Sequence, residues 1–325
     1  MSQLNPTYRA RHATTITRER ALSDPFRAIG EIPVRGGGLC VARSGAHHHD
    51  ADAVVLAVHG ITSSRMAWRT VARELAGVRG VCLLAPDLRG RGHSAALPGP
   101  YGMDVHVADL LAVLDHAGVQ RAVLAGHSMG AYVVARLAAQ HPERVAAVVL
   151  LDGGLSIPLP PGQDPDDVLQ LVLEQSVARL QMTFESVDEY VGLWRQHPAL
   201  QHRWNDDVDA YARYDVAGEP GAMRCVVSPA SVIADCEDLV LDPTTRTAID
   251  RVHAPLSLVW APRGILDDEP LLPRPIRDAF LAAHPGARIE EIEDANHYTM
   301  AFGAGPGPRR VAAVIEAAIR RAVRV

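Results

Sequence analysis

The sequence has no lysine: all 32 of its basic residues are arginine. Schiff-base chemistry, a lysine general base and the lysine of a phosphate-binding P-loop are therefore excluded. Cysteine is scarce. Cys40, Cys82, Cys225 and Cys236 are scattered without a C-x-x-C pair and read as reduced thiols, most of them filling core positions. Aromatic residues make up only 5% of the chain, so the place where they gather is informative. No apolar run approaches the ~20 residues that span a bilayer. The arginine-studded stretch 1–27 has no apolar signal-peptide run. The expectation is a soluble cytoplasmic protein with no membrane insertion. Positive charge is not in excess either: the net charge is −6 and the pI is near 6.2, which argues against a general nucleic-acid or anionic-membrane binder.

With 325 residues, 48% of them hydrophobic, the chain can bury one large core plus an insertion. Residues 1–25 read as an N-terminal extension. The runs 29–33 and 39–42, joined by Gly36-Gly37-Gly38, suggest an antiparallel hairpin. Short apolar runs at 53–58, 81–85, 122–125 and 146–151 then alternate with helical patterns at 64–75, 103–117 and 131–140. This alternation implies an α/β fold with a doubly wound, mostly parallel sheet. It stops after Asp152. Residues 155–252 read as helical, with stretches at 166–181, 187–195 and 208–214, and they collect Phe184, Tyr190, Trp194, Trp204, Tyr211 and Tyr214. Strand patterns return at 256–260 and near 288–292, with helices at 275–283 and 309–323. The domain reading is a core of 26–154 and 253–325, interrupted by an inserted helical cap or lid at 155–252.

Gly126-His127-Ser128-Met129-Gly130 carries the chemistry. It spells G-x-S-x-G between a buried strand and an alanine-rich helix, where a sharp turn strains the central residue and lifts its hydroxyl clear of the sheet. A serine nucleophile needs a base, the base an orienting acid, and the developing charge a set of donors. His297 is the candidate base, on the loop before the last helix. Asp267 is the candidate acid, on G-x-x-D spacing in the loop after 256–260; Asp268 and Asp152 are the alternatives. The chain order Ser, Asp, His suits this fold. Backbone N–H groups of Ile61, after His59-Gly60, and Met129, at the start of its helix, are the candidate oxyanion donors. His59, Tyr190, Trp194, Trp204 and Tyr298 are candidates to line a substrate pocket.

The set His59-Gly60, the loop Asp87-Leu88-Arg89-Gly90-Arg91-Gly92-His93-Ser94, the Ser128 elbow, Asp267 and His297 resembles the α/β-hydrolase superfamily. The resemblance implies a serine-nucleophile, esterase- or lipase-like member. Such a protein cleaves a carboxylic ester or related acyl bond through an acyl-enzyme on Ser128, with no cofactor and an apolar small-molecule ester as partner. Alternatives with the same triad are a C–C bond hydrolase or a lyase-type member, for which arginines of the cap (Arg179, Arg195, Arg203, Arg213, Arg224) supply candidate polar groups. A ligand-binding, receptor-like member is a third class. The Asp-x-Arg-Gly-x-Gly-x-Ser loop also resembles epoxide hydrolases and dehalogenases, which place a carboxylate where this chain has Ser128. His93 and Ser94 read as packing groups of that loop, and His127 as a supporting residue. His47-His48-His49 reads as a solvent-facing turn, since three consecutive side chains rarely converge on one ion.

Overall fold

The computed structural model describes residues 24–156, 158 and 162–322. The N-terminal extension expected over 1–25 lies almost wholly outside them. In chain order the first half runs β1 (Ala28–Val34), β2 (Gly37–Gly45), β3 (Ala53–Val58), α1 (Arg69–Leu75), β4 (Val81–Pro86), α2 (Met103–His116), β5 (Ala122–His127), α3 (Met129–Gln140) and β6 (Val145–Leu151). An insertion follows: α4 (Pro165–Val177), α5 (Val187–Arg195), α6 (Asp206–Tyr214), a ribbon of β7 (Val216–Ala217) and β8 (Arg224–Cys225), α7 (Pro229–Leu241) and α8 (Pro243–Arg246). The chain then returns through β9 (Leu256–Trp260), α9 (Arg274–Ala283), β10 (Arg288–Glu291) and α10 (Gly307–Ala322).

Eight strands form one sheet in the order β1-β2-β4-β3-β5-β6-β9-β10. All neighbours from β4 to β10 pair in parallel, while the β1–β2 hairpin joins antiparallel at one edge. The apolar runs that read as strands are strands, because a parallel strand is covered on both faces and every residue of β5 is buried. Alternate residues go to opposite sides. Val55, Val123, Val149 and Leu151 share one cluster with Val71 of α1 and Val311 and Ile315 of α10. Leu56, Leu124, Val148 and Leu150 share the other with Leu110 of α2 and Val134 and Leu137 of α3. The doubly wound sheet expected from the alternation is thus present.

The insertion departs from its expected pattern in two places. The helix α7 and the β7–β8 ribbon were not resolved by the sequence pattern. In α7 the apolar positions Val232, Cys236 and Val240 have helical spacing, but Ser231 and Asp235 are buried among them and break the polar–apolar contrast. Asp235 is accommodated because Arg91 and His106 reach it from the core, a long-range fact that local spacing does not carry.

Candidate active site

β5 runs straight into α3 through Ser128, whose φ is +57° and ψ −123°. Both glycines of the motif are required by contact. A Cβ on Gly126 would stand 2.3 Å from the Gly130 carbonyl oxygen, and one on Gly130 would stand 2.2 Å from that of Val58. The Ser128 N–H donates to the Leu151 carbonyl at 2.9 Å, which ties the elbow to the end of β6.

The residue after Leu151 is Asp152, and it reaches the candidate base: its Oδ2 lies 2.8 Å from His297 Nδ1, with both side chains buried. The chain then passes so close to the elbow that a Cβ on Gly153 would meet the Ser128 carbonyl oxygen at 2.5 Å. The expected position of Asp267 against His297 is not found. Its Oδ1 accepts from Asn296 Nδ2 and its Oδ2 from Arg263 Nη1, each at 2.8 Å. The reason is local. The loop closes on itself through Gly264 N–H to Asp268 O and Asp267 N–H to Gly264 O, and turns the carboxylate toward Arg263 rather than the imidazole. Asp268 stays in the same loop and accepts the Leu266 N–H. Asp267 still bears on His297 at one remove. Asn296 caps the following turn by accepting the Tyr298 and Thr299 N–H groups, and the His297 N–H donates to the Arg263 carbonyl. Among the described residues, the non-glycine positions at positive φ are Ser128, Asp152 and Asp267. Strained backbone of this kind concentrates at functional sites.

His127 donates through Nε2 to the His297 carbonyl at 2.8 Å, and the two rings lie 4.6 Å apart. It supports the base loop, as its place in the motif suggested. Burial, with His297 alongside, pulls its pKa down to about 3, so the ring is neutral.

His59 does not line a pocket as expected; it is fully buried and both its nitrogens meet backbone. Nε2 accepts the Leu88 N–H at 3.0 Å, which leaves Nδ1 to donate to the Gly60 carbonyl at 2.8 Å. In a trans peptide the N–H points opposite the C=O, so this bond aims the Ile61 N–H away from His59. Gly60 backs directly onto Ser128, since a Cβ there would stand 3.1 Å from Ser128 Cβ. Met129 opens α3, so its N–H has no acceptor within the helix.

The other candidate lining residues divide. Tyr298 meets the His297 ring edge-on at 5.6 Å, and Trp194 meets Tyr298 edge-on at 6.1 Å. Tyr190 is fully buried with its hydroxyl bonded to Asp215 and Arg179. Trp204 is half-buried under Arg195, whose guanidinium carbon lies 4.7 Å from the ring centre. These last two support the insertion rather than the site.

Asp87, at the head of the Asp-x-Arg loop, accepts the Arg65 N–H at 2.9 Å, the His93 N–H at 3.1 Å and the Tyr214 hydroxyl at 2.5 Å, and pairs with the Arg65 guanidinium. Burial would raise its pKa, but Arg65 and Tyr214 outweigh it and hold the carboxyl below its ordinary value. On the opposite edge of the sheet, ahead of β3, the ring nitrogens of His47, His48 and His49 come within 4.8 Å of one another, closer than consecutive positions led one to expect.

A mostly parallel sheet with a serine elbow at its carboxyl edge is the α/β-hydrolase fold. Residues 53–207 match the family described as the alpha/beta hydrolase fold, and the chain has that fold. It is 39% identical over 103 residues to "Lipase LipV" of Mycobacterium tuberculosis, covering 32% of this chain and 38% of the lipase. It is 41% identical over 115 residues to "Epoxide hydrolase A" of the same organism, covering 34% of each. A "2-hydroxymuconate semialdehyde hydrolase" of a Pseudomonas species is 36% identical over 127 residues, covering 38% of this chain and 44% of that one. The chain thus matches well under half the length of each of these relatives. Among solved structures, "E-2-(Acetamidomethylene)succinate Hydrolase" superposes with a TM-score of 0.71 at 19% identity, covering 92% of this chain and 99% of its own. Among the described residues no helix is long and apolar enough to cross a membrane.

Proposed function

We propose that the protein is a serine hydrolase that cleaves a carboxylic ester or related acyl bond. The observation that carries this reading is the buried Asp152–His297 pair beside a strained serine elbow. His297, its Nδ1 proton held by Asp152, removes the Ser128 proton through Nε2 as Oγ attacks the acyl carbon. The N–H groups of Ile61 and Met129 receive the oxyanion, the alcohol leaves with the proton from His297, and an acyl-enzyme remains. Water, deprotonated by the same imidazole, then releases the acid and restores Ser128. The helical insertion at 155–252 serves as the cap that selects the substrate. A C–C hydrolase handling a dioxo acid would need a cation to spare in that cap. Among the cap arginines, Arg179, Arg195 and Arg213 are paired with Asp215 and Asp209, Arg203 donates to the Asp294 carbonyl and Arg224 is exposed, an arrangement that supports an uncharged acyl group.

The test is a pair of carboxylate variants assayed with p-nitrophenyl esters of increasing acyl length. Asp152→Asn is expected to lower kcat by about 10³–10⁴-fold, because the amide favours the wrong imidazole tautomer. Asp267→Asn is expected to cost less than about tenfold, since it acts only through Asn296 and Arg263. A fluorophosphonate should label Ser128, and Ser128→Ala should be neither labelled nor active. Activity surviving in Ser128→Ala, or Asp267→Asn proving the more damaging of the two, overturns the assignment.

A further inference from the structure

Three successive carbonyls of the oxyanion loop are each held by a side chain. His59 donates to the Gly60 carbonyl at 2.8 Å, Arg91 Nε to that of Ile61 at 2.9 Å, and Arg179 Nη2 to that of Thr62 at 3.1 Å. A surface loop does not need such attention, and both arginines come from a distance. Arg91 is fully buried; its Nη1 donates to the Arg89 carbonyl and its Nη2 lies 2.6 Å from Asp235 Oδ2. Asp235 stands on α7 of the insertion and takes His106 Nε2 as well, at 3.0 Å. Arg179 belongs to the insertion itself. It pairs with the buried Asp215 at 2.5 Å, and its guanidinium carbon lies 5.0 Å from the ring centre of Trp194. Each cation that grips the loop is therefore neutralised by an aspartate of the insertion.

We propose that Arg91 and Arg179 are positioning residues that set the aim of the Ile61 N–H, so that the oxyanion hole is assembled only while the insertion is seated on the core. This rests on the acyl-transfer reading of Ser128 given above. The physical argument concerns orientation. A donor stabilises the developing charge only if it is already aimed at it, and a free loop would have to be ordered at the moment of reaction. Fixing the carbonyl on either side of the Ile61 α-carbon, by His59 and by Arg91, leaves the peptide planes around it no room to rotate. Arg179 fixes the plane after that. Hydrogen bonds from a charged guanidinium to a carbonyl are stronger than neutral ones, and their burial keeps water from competing. Loss of the Arg179 bond frees the loop on the insertion side while leaving nucleophile, base and acid untouched.

The test uses the full chain with Arg179→Gln and Arg179→Lys. Two readouts are taken: amide hydrogen exchange of the peptide covering 60–64, where the Ser63 N–H donates back to the Gly60 carbonyl, and kcat and KM on p-nitrophenyl acetate. Arg179→Gln is expected to speed exchange in that peptide at least tenfold and to lower kcat about 10–100-fold, the upper figure approaching loss of one oxyanion donor, with KM within about threefold. Arg179→Lys, which keeps a charged donor beside Asp215, should recover part of both. Should the glutamine variant not fold, the lysine variant is read against wild type on the same two measurements. Exchange and kcat at wild-type values in the folded variant overturn the proposal. The exchange readout does not depend on the chemistry. An unlabelled Ser128 in the wild-type protein would count against the acyl-transfer reading, and exchange would still decide the positioning role.

Discussion

Two buried histidines, His59 and His127, do their work uncharged. Burial pulls His59 down to about 4, against a partial opposing pull from Asp87, and His127 to about 3, from an ordinary value of 6.5. Unfolding returns both rings to the ordinary value. Between pH 6.5 and 4 the unfolded chain therefore binds protons that the native protein refuses, and stability falls as pH drops, by about 1.4 kcal/mol per pH unit for each histidine. Aspartates held low, such as Asp87 and Asp207, add their losses only below about pH 4. Urea unfolding of the wild type at pH 7, 6 and 5 should show this decline, and His127→Gln should flatten it by about one histidine's share. An unchanged slope in that variant would mean the ring is not held neutral. At this same scale the aspartate that meets His297 was harder to read than the serine of the elbow. Asp152 and Asp267 both follow strands at the carboxyl edge, and both preserve the order Ser, Asp, His. The spacing around Gly264 favoured Asp267, whereas the choice is made by Arg263, four residues earlier, which captures that carboxylate. A signal for Asp152 was present in the glycines after it. Gly153 is a position where a side chain would strike the Ser128 backbone, so Asp-Gly-Gly at a strand end marks a chain pressed against the elbow.

Among the elements, the unit of β5, elbow and α3 is tightly specified by contact. Backbone packs on backbone where Gly126 meets Gly130 and where Gly130 meets the end of β3, and no rotamer change can relieve a contact of that kind. Gly126→Ala or Gly130→Ala should therefore lower stability by several kcal/mol, at the far end of single-substitution effects. Thermal unfolding of the purified variants checks this, and a melting point within a degree or two of wild type would contradict it. The strands and helices of the core were legible because burial on both faces and helical periodicity are local properties of the chain. Its ends moved by only a few residues: β5 extends to His127 and α3 begins at Met129. The insertion was legible as helical but not in detail. Its order depends on buried polar groups, Asp215 with Arg179 and Asp235 with Arg91, whose partners lie far off in sequence.

For the whole molecule, the decisive relation is how the insertion sits on the stretch from Ile61 to Arg73. Besides the arginine bonds, Tyr214 of α6 reaches Asp87, and Asp207 of the same helix takes Arg69 Nε at 2.8 Å, Thr70 Oγ1 at 2.9 Å and the Arg73 guanidinium. Removing Asp207 leaves two arginines of α1 without their shared counter-charge. Asp207→Ala is expected to cost about 1–2 kcal/mol, less than stranding a fully buried charge because Arg69 keeps Asp24 and Arg73 is partly exposed, and to lower kcat by loosening the seat of the insertion. A normal melting point with normal kcat would show that the two parts do not depend on this contact.

On the proposed acyl-transfer reading, the nucleophile Ser128, the acid Asp152 and the donors Ile61 and Met129 all fall between residues 61 and 152, just past the ends of the neighbouring strands β3, β5 and β6. Only the base comes from elsewhere, across the full insertion and two further strands. During synthesis the ribosome thus releases a chain whose serine is already mounted but has nothing to deprotonate it. On that reading His297 arrives only once residues 292–303 have emerged, so the insertion is made before the base that it is to cover.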